Sequence, residues 1–444
     1  MKLLRNHSKE VIFLDKESIL RLELDHVKNI DCEASIESYD PTTNNHIIFL
    51  ELKKDVHYVC PHCGTIDIHK SRSTVLQTIK HSSATEDNII IKFKRRVLLC
   101  SCGHSFREPN PFNTSKKRIS YHKETKILFA LKDINKSYKD VAIEFDVSPT
   151  TISKIFDSKV NIPRQHLTEV LSVDEVYSKH CGFHKYCFII YSPQQDKILD
   201  VLPSRHKEYL IDYFSRIPRS ERKKVKYFSI DLYEVYRQVA KQCFPDALIC
   251  ADHFHVIKNL STFFNSARIR IMKKYEHLKP SDDNFYWLYK KYWKLLLKNP
   301  EKLGYKKFKV ARSRMHMDEH QIVEYMLFID PQLRAAYELM NEYKSFNATA
   351  TIDDAEERLD ELMIKFLHSP LTEFHKFYRL LKNWRQEIIN SFNKVNGHII
   401  SNGGMERANR DIKTIIRHAF GYRNFGRLRN RIMYIKNKDA TIKI

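Results

Sequence analysis

Glycine is scarce. The 444-residue chain holds 9 of them, roughly 2% where about 7% is usual, so tight-turn β architectures and collagen-like repeats are poor fits. Long apolar runs are missing too. Nowhere do about 18 apolar residues follow one another, which excludes a transmembrane helix. The opening MKLLRNHSKEVIFLDKES has no continuous apolar stretch before its charges resume, so no secretory signal is expected and the chain is expected to be cytoplasmic. No Gly-Lys-Ser/Thr phosphate loop occurs, so no nucleotide cofactor is implied. No repeat at solenoid spacing is present. Acidic residues are in deficit, with 54 Asp and Glu against 76 Lys and Arg, a net charge of +22. That surplus points to a polyanion, nucleic acid first and an anionic membrane second. No basic helix with a clean apolar face supports the membrane. At roughly 150 residues per domain, the length fits two to four domains.

The nine cysteines are odd in number. Cys32, Cys181, Cys187, Cys243 and Cys250 are scattered, which is not a secreted disulfide framework. The other four form two tight pairs. The strand pattern HIIFLELKK (46–54) leads into Cys60-Pro61-His62-Cys63-Gly64, and NIIIKFKRRVLLC (88–100) leads into Cys100-Ser101-Cys102-Gly103-His104. Two such knuckles hold one tetrahedral Zn²⁺ in a zinc ribbon, with Gly letting the backbone turn back toward the metal. The bland alternative is four unrelated thiols. His62 and His104 are substitute ligands or bystanders.

A basic linker, REPNPFNTSKKR (107–118), carries Lys116, Lys117 and Arg118. Three short helical patterns follow. Ile127, Leu128 and Leu131 share a face of the first; Ser137 starts the second, with Val141, Ala142 and Phe145; the turn Asp146-Val147-Ser148 precedes a third with Ile152, Ile155 and Phe156. Ser148 suits an N-cap and Pro149 the first helical position. The pattern fits a helix-turn-helix with Thr150, Thr151, Ser153 and Lys154 facing outward to DNA. A generic three-helix unit is the alternative.

After Pro163 the texture changes. Strand patterns at 169–177, 185–192 and 197–204 are followed by a helix (207–217), a strand (225–231), a helix (232–244) and a strand (247–252). The alternation is α/β, and the order is that of an RNase H-like mixed sheet. From about 256 to 396 the chain reads as helical, and its aromatic residues, including Trp287, Trp293 and Trp384, read as core.

Three acids stand where chemistry is usual: Asp174 in the first strand, Asp231 ending the fourth and Glu406 opening a late helix. First and fourth strands are adjacent in an RNase H-like sheet, so Asp174 and Asp231 are expected side by side. Three converging carboxylates make a cage for two hard divalent cations, Mg²⁺ or Mn²⁺, suited to phosphodiester chemistry. Along the late helix Met405, Ala408, Ile412, Ile415, Ile416 and Ala419 form an apolar stripe. Glu406, Arg410, Lys413 and Arg417 lie on another face, an acid followed by three bases that suits a metal-bound phosphate and its strand. A solvated face with i,i+4 pairs is the alternative.

These pieces resemble bacterial insertion-sequence transposases of the ISL-three type. The resemblance rests on Cys60-Pro61-His62-Cys63-Gly64, the helix-turn-helix at 137–156, Ser172-Val173-Asp174-Glu175, Asp252-His253-Phe254-His255-Val256, Ser401-Asn402-Gly403-Gly404-Met405-Glu406-Arg407-Ala408-Asn409, and Ala419-Phe420-Gly421-Tyr422-Arg423-Asn424-Phe425. It covers about residues 45 to 435. The C-x-C second knuckle and the Gly-Gly before Met405 are minor departures. What the resemblance implies is a DDE transposase with an RNase H-like catalytic core, its acids falling on Asp174, Asp231 and Glu406. Asp252 heads an Asp-x-x-His motif and competes with Asp231; it and His255 are read as supporting the site or positioning DNA, with Asp231 as the metal ligand.

The expected molecule is therefore multidomain α/β: an N-terminal segment (1–45), a zinc-ribbon DNA-binding domain (46–115), a helix-turn-helix domain (116–165), the first part of an RNase H-like core (166–255), an all-α insertion (256–396), and the last core helix with a basic tail (397–444). It would bind double-stranded DNA at terminal inverted repeats, cut it, and join the freed 3′-hydroxyl to target DNA. A homodimer or higher oligomer would pair two ends. The rival is a non-catalytic DNA-binding regulator built from the same finger and helix-turn-helix.

Overall fold

The computed structural model describes residues 32–40, 45–52, 57–82, 88–113, 118–178, 185–278, 285–311, 315–400, 403–419 and 422–437. The chain forms two compact units, dividing between Ile162 and Pro163, with the short segment Thr414–Phe420 grouped with the first.

The first unit contains a five-stranded sheet in the order β1 (Cys32–Asp40), β2 (Asn45–Leu52), β4 (Ile89–Cys100), β3 (Ile68–His81), with β5 (Ser105–Arg107) also on β4. β2 and β4 run parallel, and β3 lies antiparallel to β4. Alternation on β4 buries Ile89, Ile91 and Phe93, the period-2 pattern of a one-faced sheet. Three strands escape the sequence pattern, among them the short β5. β1 falls in the segment given little structure, yet it pairs antiparallel with β2, so the sheet starts before residue 46. β3 reads IHKSRSTVLQTIKH, too polar to signal a strand; its pairing to β4 holds it in place.

Beyond the sheet come α1 (Tyr121–Ala130), α2 (Tyr138–Glu144) and α3 (Pro149–Lys159). Each starts at a serine whose side chain takes up an orphan backbone N–H: Ser120 from Lys123, Ser137 from Asp140, Ser148 from Thr151. Ser137 and Asp140 complete a capping box. Ile127, Leu128, Leu131, Val141, Phe145, Ile152 and Phe156 are buried between the helices. Asp146 turns the chain between α2 and α3 with a positive φ of 48°. Lys80 of β3 reaches that turn, 2.6 Å from the Asp146 carboxylate, so sheet and helices are tied at this point.

The second unit is built on a five-stranded sheet in the order β10-β9-β6-β7-β8. β6 (Val170–Tyr177), β7 (Tyr186–Ser192) and β8 (Lys197–Leu202) form an antiparallel meander. β9 (Tyr227–Ile230) and β10 (Leu248–Ala251) run parallel to β6, reached through α4 (Lys207–Ser215) and α5 (Glu234–Cys243). The strands are buried on both faces, as sheets with crossover helices require. α6 (His253–Lys274) then opens the helical region, which continues through α7 (Phe285–Leu297), α8 (Glu319–Ile329), α9 (Pro331–Thr349), α10 (Ala355–Leu367) and α11 (Thr372–Asn390). One continuous apolar core runs from Leu171 and Phe188 in the sheet to Phe366 and Phe377 in these helices. α11 returns to the sheet, where Asn390 donates to the Ile249 carbonyl at 2.9 Å. Trp384 is buried as expected, with Arg237 3.5 Å over its ring, whereas Trp287 and Trp293 are only half-buried. Among the described residues no helix is long and apolar enough to cross a membrane.

The chain closes with α12 (Gly403–His418) and α13 (Phe425–Lys436). α13 packs on β8, where Arg429 meets Asp200 at 2.6 Å. α12 comes close to β7. A Cβ on Gly404 would strike the Tyr191 hydroxyl and lie 2.8 Å from its Cζ. The Gly-Gly before Met405 thus has a packing reason at its second position. Gly404→Ala should cost about 1–3 kcal/mol by overpacking; an unchanged denaturation midpoint would contradict this close approach.

Candidate active site

β6 and β9 lie side by side with Ser172 opposite Ser229. Two residues further along each chain come Asp174 and Asp231, so the parallel register brings them to one level on one side of the sheet. Asp174 is inside β6, whereas Asp231 is the first residue past β9, which ends at Ile230. β10 ends at Ala251 and Asp252 follows at once. All three acids therefore stand toward the carboxyl ends of the parallel strands, where open α/β sheets place their ligands.

Asp252 is the N-cap of α6. Its Oδ1 accepts from the Phe254 N–H at 3.1 Å, and its Oδ2 lies 2.8 Å from His255 Nδ1. His253 anchors the same turn, pairing with Asn347 and lying 3.3 Å from the Ser391 carbonyl. Burial works against a charged His255, but the Asp252 hydrogen bond and the charges of Asp252, Asp174 and Asp231 outweigh it and raise its pKa.

Burial raises Asp174 above the usual carboxylate range, with the Glu175 backbone N–H and His255 opposing and Glu175 and Asp252 adding. Asp231 is pushed up to about 7, first by burial and then by the charges of Asp174, Glu175 and Asp252, against His255. Its Oδ1 is buried and has no hydrogen-bond partner among the described residues. Glu175 is already committed, to Arg205 on one oxygen and to the Tyr236 hydroxyl on the other. Half-buried carboxylates whose charged forms are disfavoured by burial and by their acidic neighbours, one with an orphaned oxygen, fit a divalent cation.

α12 brings the third expected acid. Met405, Ala408, Ile412 and Ile415 are buried; Arg410, Lys413 and Arg417 are exposed; Glu406 is half-buried between these faces. The helix meets β6 through Asn409, whose Nδ2 donates to Asp174 Oδ2 at 2.7 Å. Asp174, Asp231, Asp252 and His255 are thus gathered into one electrostatic group. Glu406 stands one turn from Asn409 without closing to mutual ligand distance with Asp174 and Asp231, since among the described residues only the four cysteines form a group that tight. Asn409 went unassigned in the sequence, although the spacing Glu406-x-x-Asn409 puts both on one helix face. Arg205 and Tyr236, which hold Glu175, carry no local signal at all.

In the first unit the Cys60, Cys63, Cys100 and Cys102 sulfurs lie within 4.8 Å of one another. Gly64 and Gly103 follow the knuckles with φ of 74° and 82°, the left-handed turn that Gly accepts without strain. The Cys102 backbone N–H, helped by the neighbouring thiols, lowers Cys100 to about 7. His62 and His104 stack on each other, ring centroids 5.3 Å apart, outside the thiol group. On α3, Thr150 and Lys154 are exposed and Thr151 and Ser153 partly so; Arg118 is exposed, and Lys116 and Lys117 lie outside the described residues.

Against known proteins, a family model described as Transposase matches residues 171–432. The transposase for insertion sequence element IS1001 of Bordetella parapertussis is 21% identical over 374 residues, covering 82% of this chain and 86% of that protein. The transposase for insertion sequence element IS1557 of Mycobacterium tuberculosis is 21% identical over 276 residues, 60% of each chain.

The raised Asp231 has a consequence for the metal-free protein. The folded state holds a proton there that the unfolded chain releases near pH 4, so stability should fall as pH rises from about 4 to 7. Asp231→Asn removes this loss. Its unfolding free energy should exceed the parent's at pH 8 by an amount on the order of a few kcal/mol, and by much less at pH 4, as followed by denaturation at each pH. Equal gains at both pH values in metal-free buffer would contradict the shift.

Proposed function

The chain belongs to the ISL3-type insertion-sequence transposases, and on that footing we propose that Asp174, Asp231 and Glu406 are its catalytic acids and hold two Mg²⁺ or Mn²⁺ ions. The observation that carries this reading is the side-by-side emergence of Asp174 and Asp231 from adjacent parallel strands, with a buried, unpartnered Asp231 Oδ1. The strand order β10-β9-β6-β7-β8, a meander extended by two parallel strands, supports an RNase H-like core. Bound there, a pair of divalent ions activates the attacking oxygen and stabilises the departing one. Glu406, one turn before Asn409 on α12, would complete the cage.

Asp252 is the weaker candidate for the second acid. Asp252 caps α6 and is tied to His255, a structural task that accounts for its place, whereas the buried Asp231 Oδ1 has no partner among the described residues. Asp252 and His255 then serve to fix the turn beside the site.

In hydrolysis, water attacks the phosphorus at the element end and the bond to the 3′-oxygen breaks, leaving a 3′-hydroxyl. In strand transfer that hydroxyl attacks a target phosphodiester, loses its proton and displaces a target 3′-oxygen. Arg410, Lys413 and Arg417 would neutralise phosphates along the strand leaving the site. The four thiols would hold one structural Zn²⁺ in a ribbon. That ribbon and the helix-turn-helix, through Thr150, Thr151, Ser153, Lys154, Arg118 and the linker lysines Lys116 and Lys117, would bind the terminal inverted repeats. A homodimer or larger assembly would pair two ends.

Incubation of the purified protein with its flanking DNA ends and Mg²⁺, with nicks mapped, tests the reading. Asp174→Asn, Asp231→Asn and Glu406→Gln should each lower cleavage by more than about a hundredfold while end binding persists, and Asp252→Asn should lower it less. Activity in Asp231→Asn with none in Asp252→Asn would reassign the second acid. Cleavage at the parent rate by all four would leave a DNA-binding protein only.

Elemental analysis should find one zinc per chain, and its chelation should unfold the first unit; zinc-free protein that folds normally would rule out the structural metal. End binding should weaken steeply with salt as counterions are displaced, and a flat response would count against DNA as the partner.

A further inference from the structure

Asn409 is buried, with 7% of its surface exposed. Its two amide atoms have different fates. Nδ2 donates to Asp174 Oδ2 at 2.7 Å, and an ionised carboxylate can only accept, which fixes which end of the amide faces it. Oδ1 is buried with no hydrogen-bond partner among the described residues. An unmet buried acceptor costs about 1–3 kcal/mol, so it needs a donor to repay it. Asp174 itself is gripped from two sides, since its Oδ1 accepts the Glu175 backbone N–H at 2.7 Å. Both oxygens keep a free lone pair, and the carboxylate plane is set.

We propose that Asn409 is a positioning residue of the catalytic centre: Nδ2 orients the Asp174 carboxylate, and Oδ1 accepts a hydrogen bond from a water carried by the divalent ion. The inference rests on the reading of Asp174 as a metal ligand. Asn409 lies one helical turn past Glu406, so the same hydrogen bond sets the register of α12 against β6 and with it the approach of Glu406. A residue that holds a ligand by its other end and bonds a metal water is the outer support that metal sites need, and its loss usually costs 10–100-fold in metal affinity or activity, by about that range.

The test is Mn²⁺ binding to the full-length protein without DNA, followed by the electron-spin signal of free Mn²⁺, beside thermal unfolding in metal-free buffer. Asn409→Leu is close in size and apolar. It removes the orphaned acceptor but also takes the Asn409 donor from Asp174 Oδ2, so the two effects roughly offset and the metal-free protein should unfold near the parent temperature. Mn²⁺ affinity should nevertheless fall by about tenfold or more. Asn409→Ala should show the same loss of affinity and serves if the leucine does not fit. In an Asp174→Ala background, Asn409→Leu should have little further effect on Mn²⁺ binding, because its partner is gone. Parent-like affinity in folded Asn409→Leu or Asn409→Ala overturns this role and leaves the catalytic reading standing. Misfolding of both variants overturns it as well, because the residue is then a packing residue. If the parent binds no Mn²⁺, or Asp174→Ala binds it as the parent does, the catalytic reading fails and this role falls with it.

Discussion

Two half-buried carboxylates stand side by side on neighbouring parallel strands, where burial and neighbouring acids disfavour their charged forms. Asp231 shows the effect most plainly, pushed to about 7 by burial and by the charges of Asp174, Glu175 and Asp252. A fold does not gain stability from such an arrangement, and the proposed metal site gives it a purpose. Much of the second unit can be understood as holding that unfavourable pair in place. The parallel register of β6 and β9 fixes their level. Arg205 and Tyr236 occupy Glu175, the next acid along, so it does not compete for the same space. Asp252, His255 and His253 pin the start of α6 against α9 and the end of α11.

The helical region is more than an appendage of the sheet. Its apolar core is continuous with that of the strands, and Asn390 at the end of α11 bonds to β10. The chain between Asp252 and Glu406 therefore leaves the sheet and returns to it across a packed interior, which delivers α12 to β6 from a rigid support. Close packing at Gly404 and the Asn409 hydrogen bond then set the helix.

How much of this was legible depended on the signal each element carries. Strands buried on both faces, such as KYCFIIYS and KILDVL, announce themselves as apolar runs, and serine caps before α1, α2 and α3 mark the helix starts. The cysteine knuckles and the acids at strand ends were visible because few alternatives explain them. β3 was hidden because its inward positions include the polar Gln77 and His81, so its alternation in burial is not an alternation in hydrophobicity. β1 was hidden in a segment of mixed polarity and is defined by its partner rather than by its own pattern. Asn409 was in view as part of Glu406-x-x-Asn409, but its role depends on a hydrogen bond across 235 positions of sequence, which no local pattern encodes. The adjacency of Asp174 and Asp231 follows from the strand order, so it was predictable; Asp231 was preferred over Asp252 from its place at the fourth strand's end, and the hydrogen bonds that engage Asp252 were out of view.

The central claim is that the paired acids exist to hold divalent cations, and the most direct test locates such an ion. Crystals of the full chain soaked with Mn²⁺ should show anomalous scattering between Asp174 and Asp231, with Glu406 drawn in from α12. A peak bound by Asp252 in place of Asp231, or no peak beside either strand end in protein that cleaves DNA, would contradict the account.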